Sequence, residues 1–314
     1  MDRFSFGDAF MHYARTGGEG RFAMPFILSS FLMMASISLI SAWLNAPIYG
    51  LYGELIASGA GGNDPDMLAF SEQINAMNTR SLLAMAVTMP LYILFWAVLE
   101  SAVYRRYMRG DRFSLRIGPD EFRLMVVGLL WVAFFITLYI GAIVALILPI
   151  IVGAALGQAS PVLAIIIVAL SAIAIFLVAG WFAARLAPAS ALTIRDEEIR
   201  AFDGWKATRG KGRTLLGVWI SWFMIQMFLM ALIMGIGAVF VVGSLVAEGG
   251  RGVSDAVILD AVSQPAFWGP LIALQLLFVL VQSVFHYVWA GPAALAAKTD
   301  PTWSGRAGVQ EEFS

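Results

Sequence analysis

Glu100 is the only acidic residue lying well inside a long apolar run of this 314-residue chain. A carboxyl group in hydrocarbon is costly, and where one occurs it commonly marks a proton or ion path. Glu100 also sits close to Arg105 and Arg106, near the end of its run. A side chain snorkelling toward those arginines at the interface explains it without function, and this reading is preferred. Gln275, Gln282 and His286 form a second candidate site. Their spacing of seven and four places them on one stripe of a helix. Such a stripe lines a pathway or supplies interhelical hydrogen bonds, and packing is the preferred reading.

Two loop motifs invite chemistry and fail. The stretch Thr208–Thr214, TRGKGRT, looks like a phosphate loop. A phosphate loop needs four residues between its glycine and Gly-Lys, followed by Ser or Thr. Here Gly204 is one residue too early and Gly212 follows Lys211. The cations instead suit an elbow facing anionic headgroups, each worth about 1 kcal/mol there. Arg105, Arg106, Arg109, Arg112, Lys206, Arg209, Lys211 and Arg213 form that candidate lipid-contact set. Asp64 and Asp66 in GGNDPD do not complete a calcium loop; Asp64-Pro65 reads as a helix cap with proline at the first position.

Other chemistry is missing from the residue inventory. The chain has no cysteine and two histidines, His12 and His286. Thiolate sites, disulfides and a cysteine nucleophile are excluded, and a histidine-built zinc or haem site is not expected. No Ser–His–Asp set and no paired carboxylates occur inside the apolar runs. We therefore expect no enzyme activity, no metal and no cofactor. A net charge of −1 gives no reason to expect a nucleic-acid partner.

The elements that must position these residues are apolar spans. The chain is 60% hydrophobic and 13% charged, about half the charge a soluble domain carries. Six runs stand out, at about 22–44, 81–104, 122–149, 162–187, 214–247 and 267–290. Each can cross a bilayer, which needs roughly 20 residues at about 1.5 Å rise. Lipid cannot satisfy an exposed backbone, so all six must be helices. The expected fold is an all-α polytopic bundle: one six-helix domain over residues 1–297, then a polar, mobile cytoplasmic tail at 298–314. The first run is too long for a signal-peptide core and lacks a cleavage site, so no cleaved leader is expected.

All of the 20 basic residues except Arg80 and Arg251 fall in the N-terminal segment, the second-to-third loop, the fourth-to-fifth loop and the tail. The positive-inside rule then places both termini on the cytoplasmic side, and the expected location is a bacterial inner membrane. Met67, Phe70, Ile74 and Met77 recur at helical spacing and predict a short periplasmic amphipathic helix. Asp196 is expected to cap a short cytoplasmic elbow helix with Ile199, Phe202 and Trp205 on one face. Pro90 and Gly141 are candidate breaks within spans. Gly153 and Gly157 are spaced as GxxxG but fall in an expected turn, whereas Ala179, Ala183 and Ala187 make a small-residue packing face. FSFGDAF (4–10) and FSLRIGPDEF (113–122) precede the first and third spans, and LAPAS and AGPAA close the fourth and sixth, suggesting three similar hairpins.

Residues 185–219, RLAPASALTIRDEEIRAFDGWKATRGKGRTLLGVW, resemble a pattern in bacterial six-span membrane proteins. Those proteins are related to the membrane domain attached to some glycerophosphodiester phosphodiesterases. Trp205, Thr208 and Gly210 supply the Trp-x-x-Thr-x-Gly stretch that opens the next span, and FSFGDAF and AGPAA fit as well. The resemblance covers most of the chain. It implies architecture without chemistry, because the soluble catalytic barrel has no counterpart here. The expected role is that of a non-catalytic scaffold or accessory subunit. Its partners would be the phospholipid bilayer, anionic headgroups on the cytoplasmic side, and a membrane protein or second copy. The alternative is a permease for a lipid or small molecule.

Overall fold

The computed structural model describes residues 4–15, 21–57, 67–157, 160–249 and 265–300. Among them the regular structure is entirely helical. The helices are α1 (Phe6–Phe10), a 3-10 turn (His12–Arg15), α2 (Ala23–Ala57), α3 (Met67–Arg109), α4 (Pro119–Gly157), α5 (Pro161–Leu186), α6 (Ala189–Asp196), α7 (Gly204–Ala207), α8 (Gly212–Gly249) and α9 (Pro265–Lys298). Six stretches are long and apolar enough to cross a membrane: Ala23–Asn45, Asn75–Arg109, Pro119–Ala155, Val162–Asp196, Gly212–Gly243 and Gly269–Lys298. The protein is a polytopic helical membrane protein.

The helices outrun the apolar runs that predict them. No Gly or Pro lies between Met67 and Pro90, so the segment expected as a separate amphipathic helix is the first part of α3. Asp64 and Pro65, the expected cap, lie outside the described residues. Pro90 does not break α3, nor does Gly141 break α4. Spans accommodate proline where neighbouring groups satisfy the freed carbonyl. Gly153 is also helical rather than in a turn, and a Cβ there would sit 3.3 Å from Val168 of α5. The glycine thus lets α4 and α5 approach closely. Asp196 closes α6 instead of capping the next helix. Pro188 starts α6 early, its carbonyl accepting from Leu192 N–H at 2.8 Å. The chain then reverses through Glu197 at φ 58°. Most of the expected tail, 301–314, lies outside the described residues.

Two compact units are distinguished. The first holds α1, the 3-10 turn, α3 from Trp96, α4 to α7, α8 to Trp222 and α9 from Tyr287. Its core includes Ala184, Leu215 and Ala296, with Phe4, Leu216 and Trp219 packed against them. The alanines of the α9 terminus, Ala290, Ala293, Ala294, Ala296 and Ala297, are all buried. Small side chains there let neighbouring backbones come close. At Gly291 a Cβ would stand 2.7 Å from the Tyr13 amide nitrogen, so the N-terminal segment docks directly on α9. Phe10 stacks on Trp222 at 4.2 Å and the Tyr287 hydroxyl donates to the Tyr13 carbonyl at 3.0 Å. The second unit holds α2, α3 to Phe95, α8 from Phe223 and α9 to His286. Within it Gly237 admits Leu274, and Phe26 packs edge-on against His286.

Candidate functional site

Polar groups in the first unit concentrate where α3 ends and α4 begins. Pro119 opens α4, and Asp120 and Glu121 fill its first turn, where the helix dipole favours negative charge. Glu121 is fully buried. Its carboxylate accepts from the Gly118 N–H at 2.9 Å, from the Ser101 hydroxyl at 2.5 Å and from the buried Arg105 guanidinium. Arg105 also donates to the Ser114 carbonyl at 2.9 Å. Asp120 is ringed by guanidiniums: Arg109 at 2.8 Å, Arg123 at 3.0 Å, Arg116 at 3.7 Å and Arg105 at 3.9 Å. Arg109 reaches the Ile194 carbonyl at the end of α6 and pairs with Glu197 at 3.3 Å. That contact restrains Glu197 in the left-handed conformation, which is uncommon for a residue with a Cβ.

The elbow between α5 and α8 is fixed in the same manner. Arg185 donates to the Thr208 carbonyl at 2.7 Å and lies over the Trp205 ring at 4.4 Å. The Thr208 hydroxyl returns a bond to Gly204 O at 2.8 Å. Gly204 abuts the backbone of Leu186, with 2.8 Å between a hypothetical Cβ and that carbonyl. Gly210 takes φ +78°, which glycine adopts without penalty. The Trp-x-x-Thr-x-Gly stretch therefore has a local structural account. Trp131 donates to the Ala201 carbonyl at 3.2 Å, and Phe202 meets Phe134 edge-on, seating the elbow on α4. On the exposed link, Arg200 holds the Asp203 carboxyl below its usual range, and Asp203 in turn raises the Arg200 value.

This geometry divides the candidate lipid contacts. Arg105 is buried against Glu121, and Arg109 is engaged by Asp120, Glu197 and Ile194, so both belong to the internal cluster. Lys211 is removed as well: its ammonium donates to the Thr299 carbonyl at 2.6 Å and hydroxyl at 2.8 Å, and burial lowers its pKa. Arg106 binds back to the Gly110 carbonyl. Arg112, Lys206, Arg209 and Arg213 are exposed. The basic residues that read as one surface patch thus split into those held in the interior by carboxylates or backbone carbonyls and those left exposed, including Lys206, which pairs with Asp203 at 3.4 Å on the surface.

The intramembrane candidates also separate. Glu100 makes no ion pair with Arg105 or Arg106, whose partners lie elsewhere. Its Oε2 is sealed from the surface and unpartnered among the described residues. Gln275 and Gln282 are exposed along α9, whereas His286 is half-buried with Nδ1 3.5 Å from the Ser30 hydroxyl. Among the described residues no cluster of three potential ligands could hold a metal ion.

Sequence reasoning missed two features. Asp120 and Glu121 are the two residues just before the apolar run, and Gly-Pro-Asp-Glu is the signal that could have flagged a capped helix start there. His12, which the sequence offers only as one of two imidazoles, is buried and stacked on Tyr107 with centroids 5.3 Å apart. Its pKa is lowered to about 4, first by burial, then by Lys298 and Arg15. No family model, curated protein or solved structure matches the chain.

Proposed function

We propose that the chain is a non-catalytic scaffold or accessory subunit of a bacterial inner membrane, with both termini cytoplasmic and its basic face seated on anionic lipid. The observation that carries this reading is the elbow at residues 197–213. Lys206, Arg209 and Arg213 are exposed there beside exposed Ile199, Phe202 and Trp205. Cations beside apolar and aromatic side chains suit a headgroup layer, where one part is charged and the next is greasy. Buried bonds from Arg185, Thr208 and Trp131 hold the backbone behind them, so ordering cost on binding is small. The charge bias along the chain supports the orientation.

Native mass spectrometry of the protein in native-lipid particles tests this. We expect retained phosphatidylglycerol or cardiolipin, falling at least threefold in a K206Q/R209Q/R213Q variant. About 1 kcal/mol per surface charge makes that a conservative figure. A stoichiometric co-purifying protein identifies the accessory role. Unchanged anionic-lipid retention in the variant would overturn the docking reading. The permease reading is favoured by one observation, the unpartnered carboxyl oxygen of Glu100 inside a span.

A further inference from the structure

The arginine cluster shows that this protein can satisfy buried charge with its own groups. A neighbouring file of polar residues is treated differently. Glu100, Tyr104 and Tyr107 fall at i, i+4 and i+7 on α3, and so share one face. Tyr104 and Tyr107 are buried. His12 lies at the far end, stacked on Tyr107 with the ring planes 17° apart. Lys298 Nζ stands 5.9 Å from the same tyrosine ring. The file is therefore anchored where the N-terminal segment meets the end of α9, among the basic segments. It runs about 10 Å along the helix axis to Glu100, from seven residues at roughly 1.5 Å each.

Four polar atoms of this file are sealed from the surface without a partner among the described residues: Glu100 Oε2, Tyr107 Oη and both ring nitrogens of His12. Left dry, each would cost about 1–3 kcal/mol, and native folds leave few such atoms. Their concentration on one face is the informative point. Ala102, on the opposite side of the same two turns, is buried and apolar, and the buried polar side chains away from the file, Ser101 and Arg105, are paired with Glu121. Single bridging waters, each making roughly 2–4 hydrogen bonds, fit the mixed donor and acceptor character of a neutral imidazole, a phenol and a carboxyl.

We propose that Glu100, Tyr104, Tyr107 and His12 line a water-filled access path from the basic face of the protein to Glu100. The path makes that carboxyl a site for a proton drawn from the solvent on that side. Water donates the proton, Glu100 Oε2 accepts it, and hydroxide is neutralised in the bulk. The inference is independent of lipid docking, which concerns the outer elbow.

The absence of cysteine makes the test clean, because each introduced thiol reports alone. Glu100→Cys, Tyr104→Cys and Tyr107→Cys would be made in the full-length chain and reconstituted in oriented vesicles. A membrane-impermeant cationic methanethiosulfonate reacts only with a hydrated thiolate. We expect labelling at least tenfold faster at 104 and 107 than at Ala102→Cys, which faces away from the file, and only from the side that labels Arg112→Cys. Position 100 should follow more slowly. Rates at all three equal to Ala102→Cys, or labelling from the opposite side alone, would overturn the proposal. Radiolytic footprinting of the unmodified protein covers the case in which a variant misfolds. Oxidation of Tyr104 and Tyr107 well above that of buried Phe26 supports the path, and all three equally silent refutes it.

Discussion

Replacing Glu121 with Gln keeps the shape of the buried side chain and removes its charge. Arg105, 1% exposed, would then keep a buried positive charge with its nearest carboxylate Asp120 at 3.9 Å. Losing one partner of a buried pair costs about 3–5 kcal/mol, most of it from the stranded charge. Asp120 and the Ser114 carbonyl remain, so we expect about 3 kcal/mol, the low end of that range. Arg105→Leu should cost less, about 2 kcal/mol. The carboxylate it strands keeps the Gly118 N–H, the Ser101 hydroxyl and the favourable end of α4. In the double variant Arg105→Leu/Glu121→Leu no buried charge from the pair is left, and stability should return to within about 1 kcal/mol of the parent. Unfolding in lipid–detergent mixed micelles, titrated with dodecyl sulfate, measures all three. Additive losses in the double variant would refute the reasoning. They would mean that the cluster stabilises through packing and not through paired charge.

Two further outcomes concern the N-terminal segment. Gly291→Ala should release it, because the new methyl meets the Tyr13 backbone at 2.7 Å and backbone cannot swing aside; overpacking of this kind costs about 1–3 kcal/mol. Faster tryptic cleavage after Arg15 is the readout, with Gly141→Ala, which meets nothing within 4 Å, as the silent control. Acid should act at the same place. The His12 pKa is depressed in the folded state, so the unfolded state binds the extra proton and docking weakens as pH falls from about 6.5 toward 4. The loss is at most ~3 kcal/mol, since water at the ring would reduce the shift. His12→Phe should flatten that pH response of the cleavage rate, and an unchanged response would place the sensitivity elsewhere.

The six spans were legible because hydrocarbon demands long apolar helices, and no other residue pattern yields them. Their ends were less so. Met67–Met77 carries an amphipathic pattern, but pattern does not end a helix; a breaker does, and none is present before Pro90. The elbow's location was readable, while its helix boundaries turned on Pro188 and on a left-handed Glu197 that a Cβ normally disfavours. The candidate site was the least legible. Arg105 and Arg112 look alike in sequence, yet one is sealed against Glu121 and the other is exposed. What separates them is the fold of the intervening link, which brings α4's first turn back to α3. Glu100 was conspicuous by its surroundings, but that it has no cation partner among the described residues could be learned only once the arginines had been assigned.

The α4–α5 hairpin carries a consequence for biogenesis. In the most apolar window of each helix no residue is buried inside the protein. The link between them, 158–160, is Gln-Ala-Ser, without charge to carry across. Gly153 and Val168 already close the two helices on each other. This pair therefore has what it needs to leave a translocation channel together, as one cargo, before α8 and α9 are synthesised. Its partition into lipid is driven by its own greasiness, and the rest of the chain then assembles beside a hairpin already in place.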